Sequence, residues 1–145
     1  MVPVYYNSSY VGAAHSFDTT RKAGWIAESL VRDPVDGVEI QSPSSLTAEQ
    51  VSIVHDPAYV QAVETGEPRS LAESQGFPWD PGMWTMVVAS TGGAVAAALA
   101  ALRSGESAGS LSGGLHHARR DTGSGFCTFN GLALGAVAAI EAGAE

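Results

Sequence analysis

The residues best able to do chemistry stand together as Ser112-Gly113-Gly114-Leu115-His116-His117-Ala118-Arg119-Arg120-Asp121, followed by Gly123-Ser124-Gly125-Phe126-Cys127. Imidazole changes charge near neutral pH, so two histidines in succession suit proton transfer or metal binding. The glycines around them allow close approach of backbone to a ligand. In extended backbone, adjacent side chains point to opposite faces, which favours separate acid and base roles over joint ligation of one ion. On spacing alone, a turn carrying two solvated histidines explains the pattern equally well. Other chemistries find less support. Leu111 occupies the centre of Gly109-Ser110-Leu111-Ser112-Gly113, where a nucleophile elbow needs serine. Gly123-Ser124-Gly125 lacks the third glycine of a dinucleotide fingerprint, and no histidine pair at helical spacing brackets a glutamate. Cys127 is open to two readings, a thiol nucleophile paired with a histidine or a packing residue beside Phe126.

The elements that must position this loop alternate between strand and helix. Residues 2–6 form a short β-branched and aromatic run that predicts a buried strand. Residues 7–16 read as a polar loop. Residues 19–32 predict a helix with Ala23, Ile26, Ala27, Leu30 and Val31 on one face. Asp33-Pro34 and Asp36-Gly37 turn the chain into a second strand at 38–40. Thr47-Ala48-Glu49-Gln50 matches a capping box, and Asp56-Pro57 starts a further helix whose inner face holds Tyr59, Val60 and Val63. Residues 66–82 make a loop long enough to suggest a functional role. An apolar helix after that loop to about 102, a strand at 108–111 and a helix at 130–142 complete the order. This alternation predicts an α/β fold with a parallel sheet, and ligands bind such sheets at the carboxyl ends of strands, where the histidine pair lies.

Composition narrows the function classes. The 145 residues carry a formal net charge of −8 with no basic run, which disfavours phosphate-neutralising nucleic-acid binding. Residues 81–102 contain no charge and have the length of a bilayer span, but they include Thr85, Ser90, Thr91, Gly92 and Gly93 and are rich in alanine. They are expected as a buried core helix, with no membrane partner. The single cysteine excludes an intrachain disulfide and fits a reducing compartment. The N-terminus lacks the basic-then-apolar pattern of a signal peptide, so a cytoplasmic location is expected.

The block from Gly113 to Arg120, with Gly123 to Phe129 and Asn130-Gly131-Leu132, resembles the double-histidine segment of histone deacetylases and their acetoin-utilisation and acetylpolyamine-type bacterial relatives. Val4-Tyr5-Tyr6, His15 with Arg21, Val54-His55-Asp56-Pro57-Ala58-Tyr59-Val60 and residues 81–94 extend the similarity over nearly the whole chain. The resemblance implies an arginase/deacetylase-type fold and zinc-dependent hydrolysis of an acylated lysine or small acylated amine. It assigns His117 as general acid/base and His116 as its electrostatic partner. Phe126 would wall the acyl tunnel beside Gly125, and Arg21 and Cys127 would line the inner cavity. Asp80 is a weak candidate for the aspartate at the substrate rim. His15 and His55 read as structural.

The family's zinc ligands and its oxyanion-stabilising tyrosine would fall after residue 145. No strand follows the last helix, so the expectation is the N-terminal part of one domain that lacks its metal site and is inactive alone. The alternative is a non-catalytic fragment, or a subunit completed by another chain. An oligomer is possible on either reading.

Overall fold

The computed structural model describes residues 1–13 and 18–145, the side chain of Thr19 aside. The chain runs through β1 (Val2–Tyr5), a 3-10 turn (Ser8–Val11), α1 (Asp18–Arg32), β2 (Val38–Gln41), α2 (Ala48–Val51) and α3 (Pro57–Thr65). It continues with α4 (Arg69–Ala72), α5 (Met83–Ser104), β3 (Gly109–Ser110) and α6 (Gly131–Glu141). The three strands form one parallel sheet in the order β2-β1-β3, with Val2 opposite Val38 and Val4 opposite both Ile40 and Gly109. Parallel pairing requires a crossover, and α1 and the α2–α5 segment supply the two crossovers. The α/β class with a parallel sheet and flanking helices is as the alternating pattern predicts.

Local chemistry accounts for most boundaries. At α2 both halves of the capping box form: Thr47 Oγ1 accepts from the Gln50 amide at 3.2 Å, and Gln50 Oε1 accepts from the Thr47 amide at 2.9 Å. Asp56 caps α3 by accepting from the Ala58 amide at 2.8 Å, and Gly66 ends it in the left-handed region. Asn130 caps α6 by accepting from the Ala133 amide at 3.0 Å.

The core gathers around α5. Its Met83, Met86, Val87 and Val88 pack with Val51, Tyr59, Val60, Val63, Phe77 and Phe129. Glycine at 92 and 93 lets α5 approach its neighbours. A β-carbon at 92 would collide with the Ser44 carbonyl oxygen, and one at 93 with the Tyr10 hydroxyl. The α5–α6 contact rests on small residues too. A β-carbon at Gly131 would lie 3.1 Å from Ala94 Cβ, and one at Gly135 would lie 3.3 Å from Ala98 Cβ.

Three expectations need correction. β1 is half-buried rather than buried, because α5 packs against the sheet while Val2 and the alternate positions of β2 remain exposed. On α1 the buried face is Thr20, Ala23 and Ala27, with Leu30 half-buried; Ile26 and Val31 point outward. Residues 66–82 contain α4 and a fixed tryptophan. Trp79 donates from its indole nitrogen to the Val63 carbonyl at 2.8 Å, and its ring lies under Arg69. Among the described residues, α5 is long and apolar enough to cross a membrane, and half of its most apolar window is buried within the protein.

Candidate functional site

The tandem histidines lie where the chain has left the carboxyl end of β3. They are not in extended backbone. Leu115, just before them, has φ 54°, and the chain turns through positions 116 and 117. The two rings therefore sit side by side, with centroids 4.2 Å apart and planes 41° apart. Opposite-facing side chains were the extended-backbone expectation, and the turn overrides it. Both rings are exposed.

Gly125 and Phe126 form a tight turn over His117. Ser124 and Cys127 exchange backbone hydrogen bonds, 2.8 Å from the Cys127 amide and 3.1 Å from the Ser124 amide. The two residues between them have φ 53° and 63°, the signature of a type I′ hairpin turn. Glycine suits the first position for a second reason: a β-carbon there would lie 3.1 Å from His117 Cδ2 and 3.2 Å from Cγ. Phe126 is a bulky residue in a conformation that disfavours it. It is held there by its amide, which donates to the Gln75 carbonyl at 2.8 Å, and by Phe77, whose ring centroid is 5.1 Å away.

Beneath Phe126 lies a cavity of about 160 Å³, walled by Phe77, Met86, Val87, Leu111 and Leu115, with Tyr10 and Lys22 also on its lining. His116 and His117 do not line it; their chain neighbour Leu115 does, as does Phe126, which follows the Gly125 packed on His117. The structure thus brings His116, His117, Gly125 and Phe126 together beside an apolar cavity.

A histone deacetylase domain matches residues 15–145 of this chain. The chain belongs to the histone deacetylase family. It is 32% identical over 139 residues to an uncharacterised protein of Picosynechococcus sp., a match covering 91% of this chain and 45% of that protein. Histone deacetylase 6 of Arabidopsis thaliana is 31% identical over 111 residues, covering 68% of this chain and 24% of its own length. Human histone deacetylase 1 is 29% identical over 108 residues, covering 67% and 22%. The chain therefore spans less than half the length of these relatives.

The remaining candidate residues are placed as follows. Arg21 is exposed on the outer side of α1, with its guanidinium 5.2 Å from the Trp25 ring centroid. Lys22, the next position along α1, is on the lining of the cavity. Cys127 is buried, and its thiol meets the Gly125 carbonyl at 3.5 Å. Asp80 is half-buried and accepts from the Gly82 amide at 2.7 Å, which ties it to the turn ahead of α5. His15 lies outside the described residues. For a histone deacetylase the family cofactor is zinc, but among the described residues no three His, Cys, Asp or Glu side chains gather to hold a metal ion. The described residues do not make a zinc site by themselves.

Sequence reasoning assigned no part in the site to His55, Tyr59 or Gln75. Tyr59 donates to the Thr128 carbonyl at 2.8 Å, the Gln75 carbonyl accepts from Phe126, and the Ser74 hydroxyl accepts from the Gly123 amide at 2.8 Å. His55 bonds Arg120 and Asn130. These contacts join residues far apart in sequence, so no local spacing announces them. Burial holds the Tyr59 phenol well above its ordinary pKa, the hydroxyl of Ser74 opposes that, and Cys127 adds to it. Burial also lowers the His55 pKa, against smaller opposing effects of its bonds to the Arg119 and Arg120 backbone.

Proposed function

We propose that this chain supplies the tandem-histidine loop and one wall of the acyl tunnel of a zinc-dependent deacylase acting on acylated lysine or a small acylated amine. The observation that carries the reading is the Gly125–Phe126 turn closed over His117, with the His116 ring alongside. His117 takes a proton from the attacking water and returns it to the departing amine; His116 stabilises the charge that His117 gains. Phe126 and Gly125 hold the alkyl stem of the substrate and keep water from it. Cys127 supports the turn from below. Asp80 is retained as a candidate for contact with the substrate backbone at the rim. Zinc is the cofactor of this reading, and its ligands would come from polypeptide outside the described residues.

The chain alone, with zinc added, is expected to give no turnover of an acetyl-lysine peptide or an acetylated polyamine. A chimaera joining it to the C-terminal part of the Picosynechococcus relative is expected to be active. His117→Ala should then lower kcat/KM by roughly 10²–10⁴-fold, the usual contribution of a positioned acid/base. Robust turnover by the chain alone, abolished by His117→Ala, would overturn the incomplete site. A folded chimaera that neither binds nor hydrolyses acylated amines would favour a non-catalytic role.

A further inference from the structure

His55 is 1% exposed, lies between Tyr59 and Phe129 with ring centroids 5.8 and 5.2 Å away, and sits immediately before the α3 cap. Both of its ring nitrogens face the tandem-histidine loop. Nε2 is 2.9 Å from the Asn130 amide nitrogen, and a backbone N–H can only donate, so Nε2 must be the unprotonated acceptor. Nδ1 is 3.3 Å from the Arg120 carbonyl, which can only accept, so Nδ1 must carry the proton. The partners themselves thus select the neutral Nδ1–H tautomer. The next residue, Asp56, donates its amide to the same Arg120 carbonyl at 2.8 Å. Asn130 then passes the constraint on. Its side-chain nitrogen donates to the Ala118 carbonyl at 3.1 Å and the His116 carbonyl at 3.4 Å.

We infer that His55 is a positioning residue for the histidine pair: as the neutral Nδ1–H tautomer it clamps both ends of the segment 120–130 and, through Asn130, sets the backbone at His116. Its role rests on the reading of His116 and His117 as working groups, but its geometry does not. Two substitutions separate packing from positioning. His55→Phe keeps the aromatic contact and removes both bonds. His55→Gln can still accept from Asn130.

The test is ring and amide NMR on the histidine- and asparagine-labelled protein, carried out in the chimaera if the chain self-associates. In the wild type the His55 ring should show protonated Nδ1 and free Nε2 at neutral pH. In His55→Phe the Asn130 amide should exchange roughly tenfold faster or more, and the His116 and His117 ring signals should move, whereas His55→Gln stays close to wild type. In the chimaera, His55→Phe should lower kcat by roughly tenfold or more with little change in KM, and His55→Gln should restore most of it. An Nε2–H or doubly protonated ring in the wild type overturns the inference. So does a folded His55→Phe variant with unchanged Asn130 exchange and unchanged His116 and His117 signals. If His55→Phe fails to fold, the wild-type tautomer and the Gln variant still decide. An inactive chimaera with the expected NMR pattern leaves the clamp standing and removes the deacylase reading.

Discussion

His117 and its neighbour differ in what constrains them. The ring of 117 rests on Gly125, and that of 116 is aligned mainly by the backbone that Asn130 holds. Gly125→Ala should therefore act on the site and on stability together. A methyl group would press on the imidazole, and φ 53° is unfavourable for alanine by about 1 kcal/mol. A lowered melting temperature with displaced His117 signals is the expected result. His55 gives a pH prediction. Its folded pKa lies below the ordinary 6.5, so the unfolded chain takes up its proton first as pH falls. The stability present above about pH 6.5 should decline below it, through the folded pKa. Denaturant titrations between pH 7.5 and 5 should show this slope, flattened in His55→Gln. At this scale the histidine pair stood out by residue type and glycine spacing, whereas a role for Phe126 came only with the family resemblance. Which of Arg21 and Lys22 reaches the cavity lining was not legible, because one step along a helix rotates a side chain by about 100° and periodicity alone does not fix which position meets a given neighbour.

Helix ends were the most legible elements, since a cap is written in adjacent residues. Thr47-Ala48-Glu49-Gln50 and Asp56-Pro57 form the bonds their chemistry implies. Thr47→Ala should cost about 1 kcal/mol in chemical denaturation, as capping residues usually do. Faces were less legible. In α1 the apolar residues outnumber the buried ones, so Ile26 and Val31 could not be told from Ala23 and Ala27 by pattern. The packing of α5 on α6 was hidden as well, because it depends on glycine and alanine lying opposite one another. Gly135→Leu should force the two helices apart at Ala98. A loss of about 1–3 kcal/mol is expected, the range for overpacking a tight contact; a variant as stable as wild type would show that α6 slides freely.

Taken as a whole, the molecule leaves apolar surface without cover. Leu132 and Ile140 on α6 and Trp25, Ile26 and Val31 on α1 are all exposed. β3 pairs with β1 alone, so the outer edge of the sheet has no partner strand among the described residues. Unpaired edges and exposed apolar residues promote association. The chain by itself is expected to bind a hydrophobic dye and to elute as more than a monomer, and the chimaera to do neither. The fold class was readable because strand and helix patterns alternate in order. The half-buried state of β1 was not, since burial depends on what lies across the sheet.

Leu115 and Phe126 bracket the histidine pair, and both hold φ values that L-residues avoid. Glycine or asparagine in either position would relax the backbone, yet each would strip a wall from the cavity. Directed evolution of this chain for heat tolerance alone should converge on those two substitutions. The winners would be sturdier proteins with a more open cavity, so any screen for robust variants has to follow the cavity in parallel, by binding of a small apolar probe.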